Sequence, residues 1–322
     1  MRYLVTGGLG YLGSHLVRSL ISEKHEVFIV DDLSKGVLAR NIDNANFINE
    51  NLGDPTRLSD LIQTLQVSGV FHLAASKSVS ESIRIPDFYY SNNVQVTSNL
   101  IQAAITSNLK NIVFTSSAAV YGNLAKVGKI LEHDPVNPIN PYGETKFICE
   151  GLLKNASIEH GINVASLRVF NIAGVADPLF FEKSGENVIP KIIDSVLNGQ
   201  TFEVFGRNLP TFDGTPTRDF IHVTDVVNAH VQSMTGIEKT SGGEHHVLNV
   251  SSGQGTSVLN LIQLVEDISG QKVKYDLSDA RVGEPAQVIG DNSKLMDSFS
   301  WSAKESIHQM VTESWNARIS SS

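Results

Sequence analysis

The first half of the chain alternates short apolar runs with longer segments in which apolar residues recur at helical spacing. The runs are rich in Val, Ile, Leu and Phe, and several are apolar at successive positions, as in strands buried on both faces of a parallel sheet. Between two of them, apolar residues at 58, 61, 62 and 65 form one helical stripe. The alternation predicts an α/β fold with a doubly wound parallel sheet and right-handed crossovers. The predicted strands lie at residues 2–6, 26–31, 46–49, 69–75, 111–116 and 162–170.

The pattern changes after residue 170, which divides the chain into two parts. Residues 171–215 are rich in Gly, Pro and Asn and predict loops. The mixture that follows predicts a smaller, mixed α/β domain over the carboxyl ends of the sheet. We place the domains at residues 1–172 and 173–322, with the option that the chain crosses back to the sheet. The later elements are strands near 245–250, 272–276 and 286–290 and helices near 257–268 and 303–317, and the longest helices lie near 87–107 and 142–160.

Composition and charge narrow the range of partners. A chain of 322 residues with 41% hydrophobic residues can bury the cores of roughly two domains. A net charge of −9 disfavours nucleic acid and anionic membrane surfaces as partners, because both attract cationic proteins. The single cysteine, Cys149, excludes an intrachain disulfide and a zinc site built from several cysteines. We also expect no metal. With no apolar run of about 18 residues and no signal-like N-terminus, we expect no membrane span and a cytoplasmic location.

A glycine-rich turn, TGGLGYLG at residues 6–13, follows the first predicted strand directly. Its glycines match G-x-G-x-x-G at Gly8, Gly10 and Gly13, and an amphipathic helical pattern follows. Glycines at this spacing permit a tight turn and close backbone approach to a pyrophosphate at a helix N-terminus. Asp31 ends the next predicted strand, where a carboxylate can bind the hydroxyls of a ribose. The sequence therefore predicts a dinucleotide-binding (Rossmann) domain.

The acidic residue at the second strand also bears on which dinucleotide binds. Asp31 repels a 2′-phosphate, which favours NAD over NADP. Lys35 and Arg40 lie nearby, and basic residues there could accommodate such a phosphate, so NADP stays open at this point. Asp54 follows the third strand and precedes Pro55. It can cap the next helix, contact the adenine, or do both.

Two further segments suggest proton-transfer chemistry. FTSSAAVYG (114–122) places Ser116 and Ser117 at the carboxyl end of a buried strand, where ligands of open α/β sheets bind. NPYGETK (140–146) puts Tyr142 four residues before Lys146, so both side chains share one helix face. The lysine charge would lower the pKa of the tyrosine, which could then act as a general base beside a serine hydroxyl. Alternatively, the serines cap a turn and the tyrosine and lysine form a surface pair.

Together, these segments resemble the extended short-chain dehydrogenase/reductase (NAD-dependent epimerase/dehydratase) family, and within it the UDP-glucose 4-epimerases. Further matching segments occur in family order and cover nearly the whole chain. They are HLAASKSVSES (72–82), YYSNNV (89–94), VFNIAG (169–174), ENVIPKI (186–192) and GTPTRDFIHVTDV (214–226).

The resemblance implies roles for individual residues. It implies Ser117, Tyr142 and Lys146 as the catalytic set, with NAD as the cofactor and a UDP-hexose as the substrate. The implied cofactor-binding residues are Gly7, Gly10, Tyr11, Leu12, Gly13, Asp31, Asp32, Lys35, Asp54, Leu73, Ala74, Ala75, Lys77, Asn92, Tyr142, Lys146 and Phe170. The implied substrate-binding residues are Ser117, Asn171, Asn187, Val188, Phe205, Arg218, Arg281 and Glu284.

Within the substrate set, the resemblance implies that Arg218 and Arg281 clamp the diphosphate, Phe205 contacts the uracil and Glu284 binds a ribose hydroxyl. Each of these residues also has a structural interpretation. Arg218 could pair with Asp219, and Phe205 could belong to the core. Asn171 and Asn187 of the same set could be turn residues. His222 and Asp225 are expected to be structural, although they lie in a matching segment.

The reaction implied by the resemblance is a reversible C4 epimerisation of a UDP-hexose. Tyr142 takes the proton of the C4 hydroxyl, the C4 hydride passes to tightly bound NAD, the 4-keto sugar turns over, and the hydride returns to its other face. Dehydratases of the same fold place an acidic pair beside the catalytic serine, and here Ala118 and Ala119 occupy those positions. A UDP-uronate 4-epimerase or decarboxylase stays open, as does a non-catalytic protein that binds NAD or a nucleotide sugar.

Two finer expectations follow from the same resemblance. Val288 occupies the position whose side-chain size limits the C2 substituent of the sugar, and a small valine predicts tolerance of N-acetylhexosamines. The resemblance also implies a homodimer that forms through the two longest helices, near 87–107 and 142–160.

Overall fold

The computed structural model describes residues 1–124, 128–181, 187–281, 283 and 285–320. Its strands are β1 (Arg2–Thr6), β2 (Glu26–Asp31), β3 (Ala45–Asn49), β4 (Gly69–His72), β5 (Asn111–Ser117), β6 (Asn163–Val169), β7 (Asn171–Ala173), β8 (Phe202–Phe205), β9 (Thr217–His222), β10 (His245–Val250), β11 (Gly255–Ser257), β12 (Tyr275–Ser278) and β13 (Gln287–Val288). Its α-helices are α1 (Tyr11–Ser22), α2 (Pro55–Thr64), α3 (Val79–Arg84), α4 (Pro86–Tyr89), α5 (Val96–Ser107), α6 (Pro141–His160), α7 (Val188–Leu197), α8 (Val223–Ile237), α9 (Val258–Ser269), α10 (Ser293–Phe299) and α11 (Ile307–Ser320).

A seven-stranded sheet forms the centre of the molecule. Its order is β10-β6-β5-β4-β1-β2-β3, and every neighbouring pair is parallel. Helices α1 and α8 cover one face, and α2, α5 and α6 cover the other, each through a buried apolar cluster. The doubly wound α/β fold predicted from the alternation of strands and helices is confirmed.

The carboxyl ends of β1, β4, β5 and β6 lie side by side at one edge of this sheet, because these four strands are consecutive and parallel. The glycine turn follows β1, the segment from residue 73 follows β4, the serines end β5, and Phe170 follows β6. One topological feature thus brings the segments singled out in the sequence to the same edge.

The second part of the chain is divided between two layers. Strands β7, β9, β11 and β13 form a small mixed sheet, β8 pairs with β12, and α7, α9 and α11 enclose a core of their own. Strand β10, however, joins the large sheet beside β6, and α8 packs against β5 and β6. Residues after 173 therefore contribute to both parts of the fold.

Several predicted boundaries are corrected by the structure. The strand expected at 69–75 ends at His72. The N–H of Leu73 still reaches the carbonyl oxygen of Thr6 on β1, but the N–H of Ala74 turns to the Thr6 side chain, so regular strand pairing stops there. The helix expected near 87–107 is interrupted by a π-helical segment at residues 90–95, between α4 and α5. The late strands expected at 272–276 and 286–290 lie at Tyr275–Ser278 and Gln287–Val288.

Within the part of the chain that the structure describes, no helix is both long and apolar enough to cross a membrane.

Candidate functional site

The glycine turn forms a cradle that side chains would fill. Gly7 has φ +70°, and a Cβ there would lie 2.8 Å from the backbone nitrogen of Ala74. A Cβ on Gly13 would lie 2.2 Å from the carbonyl oxygen of Gly7. Gly10 is the N-cap of α1 and offers no side-chain hydrogen bond, and the first turn of the helix carries no acidic residue. The N–H groups at this helix end are therefore available to an anionic group such as a pyrophosphate, which fits the predicted dinucleotide.

Asp31 links the cradle to the end of β2. Its two carboxylate oxygens accept hydrogen bonds from the backbone N–H groups of Leu9, at 3.0 Å, and Leu33, at 2.9 Å. Burial raises the pKa of Asp31, and these two hydrogen bonds oppose the rise. Because each oxygen keeps further lone pairs, the carboxylate can accept the hydroxyls of a ribose. Asp32 accepts the N–H of Ser34 in the turn that follows.

The two cations that left NADP open are engaged elsewhere. The Nζ of Lys35 lies 3.4 Å from a carboxylate oxygen of Glu81. Arg40 is buried, and it donates a 2.6 Å hydrogen bond to the carbonyl oxygen of Phe181. Their geometry favours NAD, because a 2′-phosphate beside Asp31 would have to draw at least one of them away from its partner.

Asp54 caps helix α2, as the structural interpretation of the sequence expected. Its side chain accepts hydrogen bonds from the N–H groups of Thr56, at 2.9 Å, and Arg57, at 3.2 Å. An adenine contact from this position remains a prediction.

The segment after β4 is fastened to its neighbours on both sides. Thr6 accepts the N–H groups of Leu73 and Ala74, each at 3.2 Å. Further along, the ammonium group of Lys77 lies 5.9 Å from the ring centre of Tyr11, at the start of α1. These contacts hold the predicted residues 73–75 and Lys77 next to the glycine cradle, and Ala75 and Leu12 lie in the same two segments.

The π-helical segment contributes an asparagine that the sequence analysis missed. Asn92, the predicted residue, donates a 3.0 Å hydrogen bond to the hydroxyl of Ser76. Its neighbour Asn93 is buried, accepts the N–H of Ser76 at 2.8 Å, and donates to the Ser76 carbonyl and to the hydroxyl of Thr145. Asn93 therefore fixes the cofactor side of the site to helix α6. Nothing in the sequence distinguishes the two asparagines, because the π-helical turn shifts the helical faces.

Ser117, Tyr142 and Lys146 are gathered at the ends of β5 and α6. Ser117 ends β5, and its hydroxyl accepts the N–H of Ala119 at 3.2 Å and bonds to Tyr142. Asn140 caps α6 through the N–H of Gly143, which places Tyr142 in the first turn. Lys146 is 3% exposed.

The lysine is held by the strand itself. Its Nζ donates a 2.8 Å hydrogen bond to the Thr115 carbonyl and lies 4.7 Å from the ring centre of Phe114. The helix that carries the tyrosine and the strand that carries the serine are thus joined at the site.

The electrostatics of this cluster differ from the expectation. The sequence predicted that Lys146 would lower the pKa of Tyr142. The pKa of Tyr142 is instead raised, because burial raises it and the hydrogen bond with Ser117, rather than the charge of Lys146, opposes the rise. Burial also lowers the pKa of Lys146 to about 8, while Cys149 and Glu150 act to raise it. Both side chains are therefore biased towards their neutral forms by burial.

A cavity of about 610 Å³ contains most of the predicted substrate residues. The guanidinium of Arg281 stacks over the ring of Phe205 at 4.0 Å from its centre, and Arg218 donates to the carbonyl of Thr217 on its own strand. Tyr11 also lines the cavity, and it donates a 2.5 Å hydrogen bond to the Gly174 carbonyl, so the cradle and the cavity adjoin. The predicted substrate residues on its wall are Asn171, Asn187, Val188, Phe205, Arg218 and Arg281.

The remaining predicted residues fall in two places. Phe170 is buried and packs with Tyr121 and Val288, behind the end of β6. Glu284 lies outside the described residues.

His222 and Asp225 have structural contacts, as expected. His222 caps α8 by accepting the N–H of Thr224, and its other ring nitrogen lies 2.7 Å from Glu313. Asp225 accepts the N–H groups of Lys304 and Glu305, both at 3.0 Å. Both residues therefore fasten the C-terminal segment to α8.

The sequence of this chain is similar to those of known proteins over nearly its whole length. The model of the NAD dependent epimerase/dehydratase family matches residues 3–251. A UDP-glucose 4-epimerase of Lactobacillus helveticus is 34% identical over 320 residues, which cover 98% of this chain and 96% of the relative.

Solved structures agree with this likeness. The UDP-glucose-4-epimerase of Stenotrophomonas maltophila, with bound NAD and formylated UDP-arabinopyranose, superposes with a TM-score of 0.94 at 32% identity, covering 100% of this chain and 99% of that one. The UDP-Glc/GlcNAc 4-epimerase of Campylobacter jejuni gives a TM-score of 0.85 at 31% identity, with 99% of each chain covered.

Two glycine substitutions test separately how the cradle contributes to stability and to NAD binding. In Gly13→Ala the new methyl meets the Gly7 carbonyl at 2.2 Å, so we expect a loss of about 1–3 kcal/mol in the free energy of unfolding together with weak NAD binding. In Gly10→Ala the nearest protein atom is 3.3 Å away. We expect that variant to lose at most about 1 kcal/mol but to bind NAD at least about tenfold more weakly, because a methyl group there would hinder the close approach of a pyrophosphate to the backbone.

Thermal melting with and without NAD, combined with calorimetric titration of NAD, measures both effects. Wild-type stability and wild-type NAD affinity in Gly13→Ala would contradict the assignment of the cradle.

Proposed function

Because the chain belongs to the NAD dependent epimerase/dehydratase family, we propose that it catalyses the reversible C4 epimerisation of a UDP-hexose with NAD as its cofactor. The observation that carries this proposal is the cluster of Ser117, Tyr142 and Lys146 at the same sheet edge as the glycine cradle. UDP-glucose and UDP-galactose are the substrate pair, in accordance with the named relatives.

The residues around the cradle would hold the cofactor. The N-terminus of α1 would bind the pyrophosphate and Asp31 the adenosine ribose, and Lys77 and Asn92 would add further contacts. When bound, NAD supplies a reversible acceptor for the hydride at C4 of the sugar. The reaction consumes no NAD overall, provided that these contacts keep the cofactor bound between turnovers.

Tyr142 is the proposed general base. Its phenolate oxygen takes the proton of the sugar C4 hydroxyl and later returns a proton to the same oxygen. Ser117, which bonds to Tyr142, orients that sugar oxygen by a second hydrogen bond. Burial raises the pKa of Tyr142. In the proposed mechanism the positive charge of Lys146, one helical turn away, would favour the phenolate against that burial.

The cavity supplies the second requirement, which is to hold the nucleotide while the sugar turns. Arg218 and Arg281 can bind the diphosphate through planar, bidentate contacts, and Phe205 can stack on the uracil. These three residues all line the cavity. A substrate fixed at its UDP end can present either face of its hexose to the cofactor.

Elimination of water is disfavoured by the residues beside Ser117. Ala118 and Ala119 begin a short 3₁₀ turn there, and its first turn contains no acidic side chain. A dehydratase would need an acid at this point to protonate the departing hydroxyl. The relatives are named for hexose epimerisation, which also supports the hexose over a uronate as substrate.

We extend the proposal to N-acetylhexosamines because of Val288. Val288 stands opposite Arg218 in the β13–β9 pairing and packs with Phe170 at the end of β6. If this position faces C2 of the hexose, as the resemblance implies, a short side chain would leave room there for a larger substituent. The structural neighbour from Campylobacter jejuni is named for activity on both UDP-Glc and UDP-GlcNAc, which supports the extension.

We also propose that the enzyme works as a homodimer in the cytoplasm. Helices α5 and α6 carry exposed apolar side chains at Ile105, Phe147 and Ile158. A second copy of the same helices would remove these side chains from water. A cytoplasmic location agrees with a chain whose single cysteine is buried and unpaired.

The central prediction concerns turnover without added cofactor. We expect the purified protein to convert UDP-glucose and UDP-galactose into one another without added NAD, as monitored by NMR. Tyr142→Phe should lower kcat by about 10³-fold because the general base is lost, and it should keep its bound NAD. Tyr275→Phe, an exposed tyrosine on β12, is the matched control and should behave as the wild type. Stoichiometric consumption of NAD, or full activity in Tyr142→Phe, would refute the proposal.

A second prediction concerns the sugar. We expect wild-type activity on UDP-GlcNAc as well as UDP-glucose, and we expect Val288→Tyr to lower kcat/KM for UDP-GlcNAc by about 10- to 100-fold. Activity on UDP-glucose should change much less, since glucose carries no bulky C2 substituent. The measurement is kcat/KM for both substrates in both proteins. If the wild type epimerises UDP-glucose but not UDP-GlcNAc, the assignment of Val288 fails.

A third prediction concerns assembly. Light scattering should give the wild type twice the chain mass of 35.0 kDa, and Phe147→Glu combined with Ile158→Glu should give a monomer. Leu179→Glu, at an exposed apolar residue away from α5 and α6, should leave the dimer intact. A monomeric wild type, or a dimer that survives the double substitution, would overturn this assignment.

A further inference from the structure

A buried ion pair lies behind the catalytic cluster and is not explained by substrate or cofactor binding. Glu150 and Arg168 are each 4% exposed, and two nitrogens of the guanidinium bind the two carboxylate oxygens at 2.7 and 3.0 Å. The same carboxylate accepts a 2.5 Å hydrogen bond from the hydroxyl of Ser116. Ser116 immediately precedes Ser117.

The register of the sheet explains why these three residues meet. Ser116 on β5 stands opposite Arg168 on β6, so their side chains point to the same face of the sheet. Helix α6 covers that face, and Glu150 projects from it towards both residues. Alternate residues of β5 point to the other face, where the hydroxyl of Thr115 lies 2.8 Å from a ring nitrogen of His230 on α8. The end of β5 is therefore held from both faces.

Helix α6 forms hydrogen bonds with the end of β5 at two successive turns. Lys146 donates to the carbonyl oxygen of Thr115, and Glu150, four residues later, accepts from the side chain of Ser116. Tyr142 stands one turn before Lys146 on the same helix. These contacts set how far Ser117, at the end of the strand, lies from Tyr142, at the start of the helix.

The charge of Glu150 also acts on Lys146. Burial lowers the pKa of Lys146, and electrostatic interactions with Cys149 and Glu150 on the same helix oppose that effect. Burial raises the pKa of the Cys149 thiol, so near neutral pH Glu150 carries the negative charge of the two. From β4, the buried His72 adds no positive charge near neutral pH, because burial lowers its pKa to about 3. Arg168 on β6 pairs with Glu150 but is not among the groups that shift the pKa of Lys146, so the effect on Lys146 belongs to the carboxylate. Removal of the carboxylate would thus withdraw support for the charged form of Lys146.

We propose that Glu150 is a positioning residue for the epimerisation: its carboxylate fixes the serine end of β5 against α6 and places a negative charge one helical turn from Lys146. The inference rests on the proposed function, in which Ser117, Tyr142 and Lys146 act on the sugar. A role in stability alone is the competing explanation, although a buried ion pair is often no more stabilising than an apolar pair of similar size.

Three variants test the two parts of the role. Glu150→Gln alone would leave the buried Arg168 without a counter-charge and could fail to fold, so Glu150→Gln is combined with Arg168→Met. Ser116→Ala removes the anchoring hydroxyl but keeps both charges. Glu150→Asp keeps the charge. Glu159→Gln, at an exposed carboxylate near the end of α6, is the control.

The first readout is the dependence of kcat on pH. In the double variant we expect kcat to fall by about 100-fold, because the serine and the tyrosine lose their fixed spacing. We also expect the alkaline limb of the profile to move to lower pH, because an unsupported ammonium loses its proton more readily. Ser116→Ala should lower kcat by about tenfold with an unchanged KM and an unmoved alkaline limb. Glu150→Asp, which keeps the negative charge, should leave the alkaline limb at its wild-type position.

The second readout does not depend on turnover. Protein labelled with ¹³C at lysine Cε reports the titration of Lys146 by NMR, once Lys146→Met has identified its signal. The double variant should titrate at lower pH than the wild type, and Glu159→Gln should titrate with the wild type. A folded double variant with the wild-type titration and the wild-type alkaline limb would overturn the proposal. A wild type that lacks epimerase activity would instead refute the proposed function, and the titration would still decide what Glu150 does to Lys146.

Discussion

Parallel alignment of four neighbouring strands is the constraint on which the site depends. The carboxyl ends of β1, β4, β5 and β6 form one edge, and the residues that could bind a dinucleotide and move a proton emerge from that edge. Because side chains alternate along a strand, a slip of one residue in β5 would exchange the partners of Thr115 and Ser116 and move Ser117 away from Tyr142. Hydrogen bonds from α6 and α8 to the end of β5 oppose such a slip.

Burial of charge gives this edge its chemical character. Asp31, Lys146, Glu150 and Arg168 are all buried, and each is held by backbone groups or by an opposite charge. Such groups are costly to bury alone, and they interact more strongly with one another than they would in water. Burial by itself pushes Tyr142 and Lys146 towards neutrality, so the charges around them decide whether a phenolate can form. The surroundings of the pair therefore matter as much as its spacing.

The sequence predicts those parts of the site that depend on local patterns. The glycine turn, the acidic end of β2 and the four-residue interval between Tyr142 and Lys146 are such patterns, because each requires particular residues at short spacing. Contacts between distant segments were not predictable in this way. Asn93 was missed since a π-helical turn redirects its side chain, and Glu150 was missed since its partners lie on two different strands. The direction in which the pKa of Tyr142 shifts depends on burial, which the spacing of residues along the chain does not reveal.

An epimerase of this kind has to hold one ligand firmly while part of another turns, and the fold divides these tasks between its two layers. The large sheet supplies a cradle in which even a methyl group on Gly13 would collide with backbone. The second layer supplies a cavity of about 610 Å³, much of whose wall comes from residues after 171. Tyr11 belongs to both, since it begins α1, lines the cavity and donates to the carbonyl of Gly174. Strand β10 and helix α8 return from the second layer to the first, so the cavity is fixed to the sheet by the chain itself as well as by Tyr11. In the proposed reaction, this connection would let the diphosphate site and the proton-transfer cluster keep a constant separation while the hexose between them changes face.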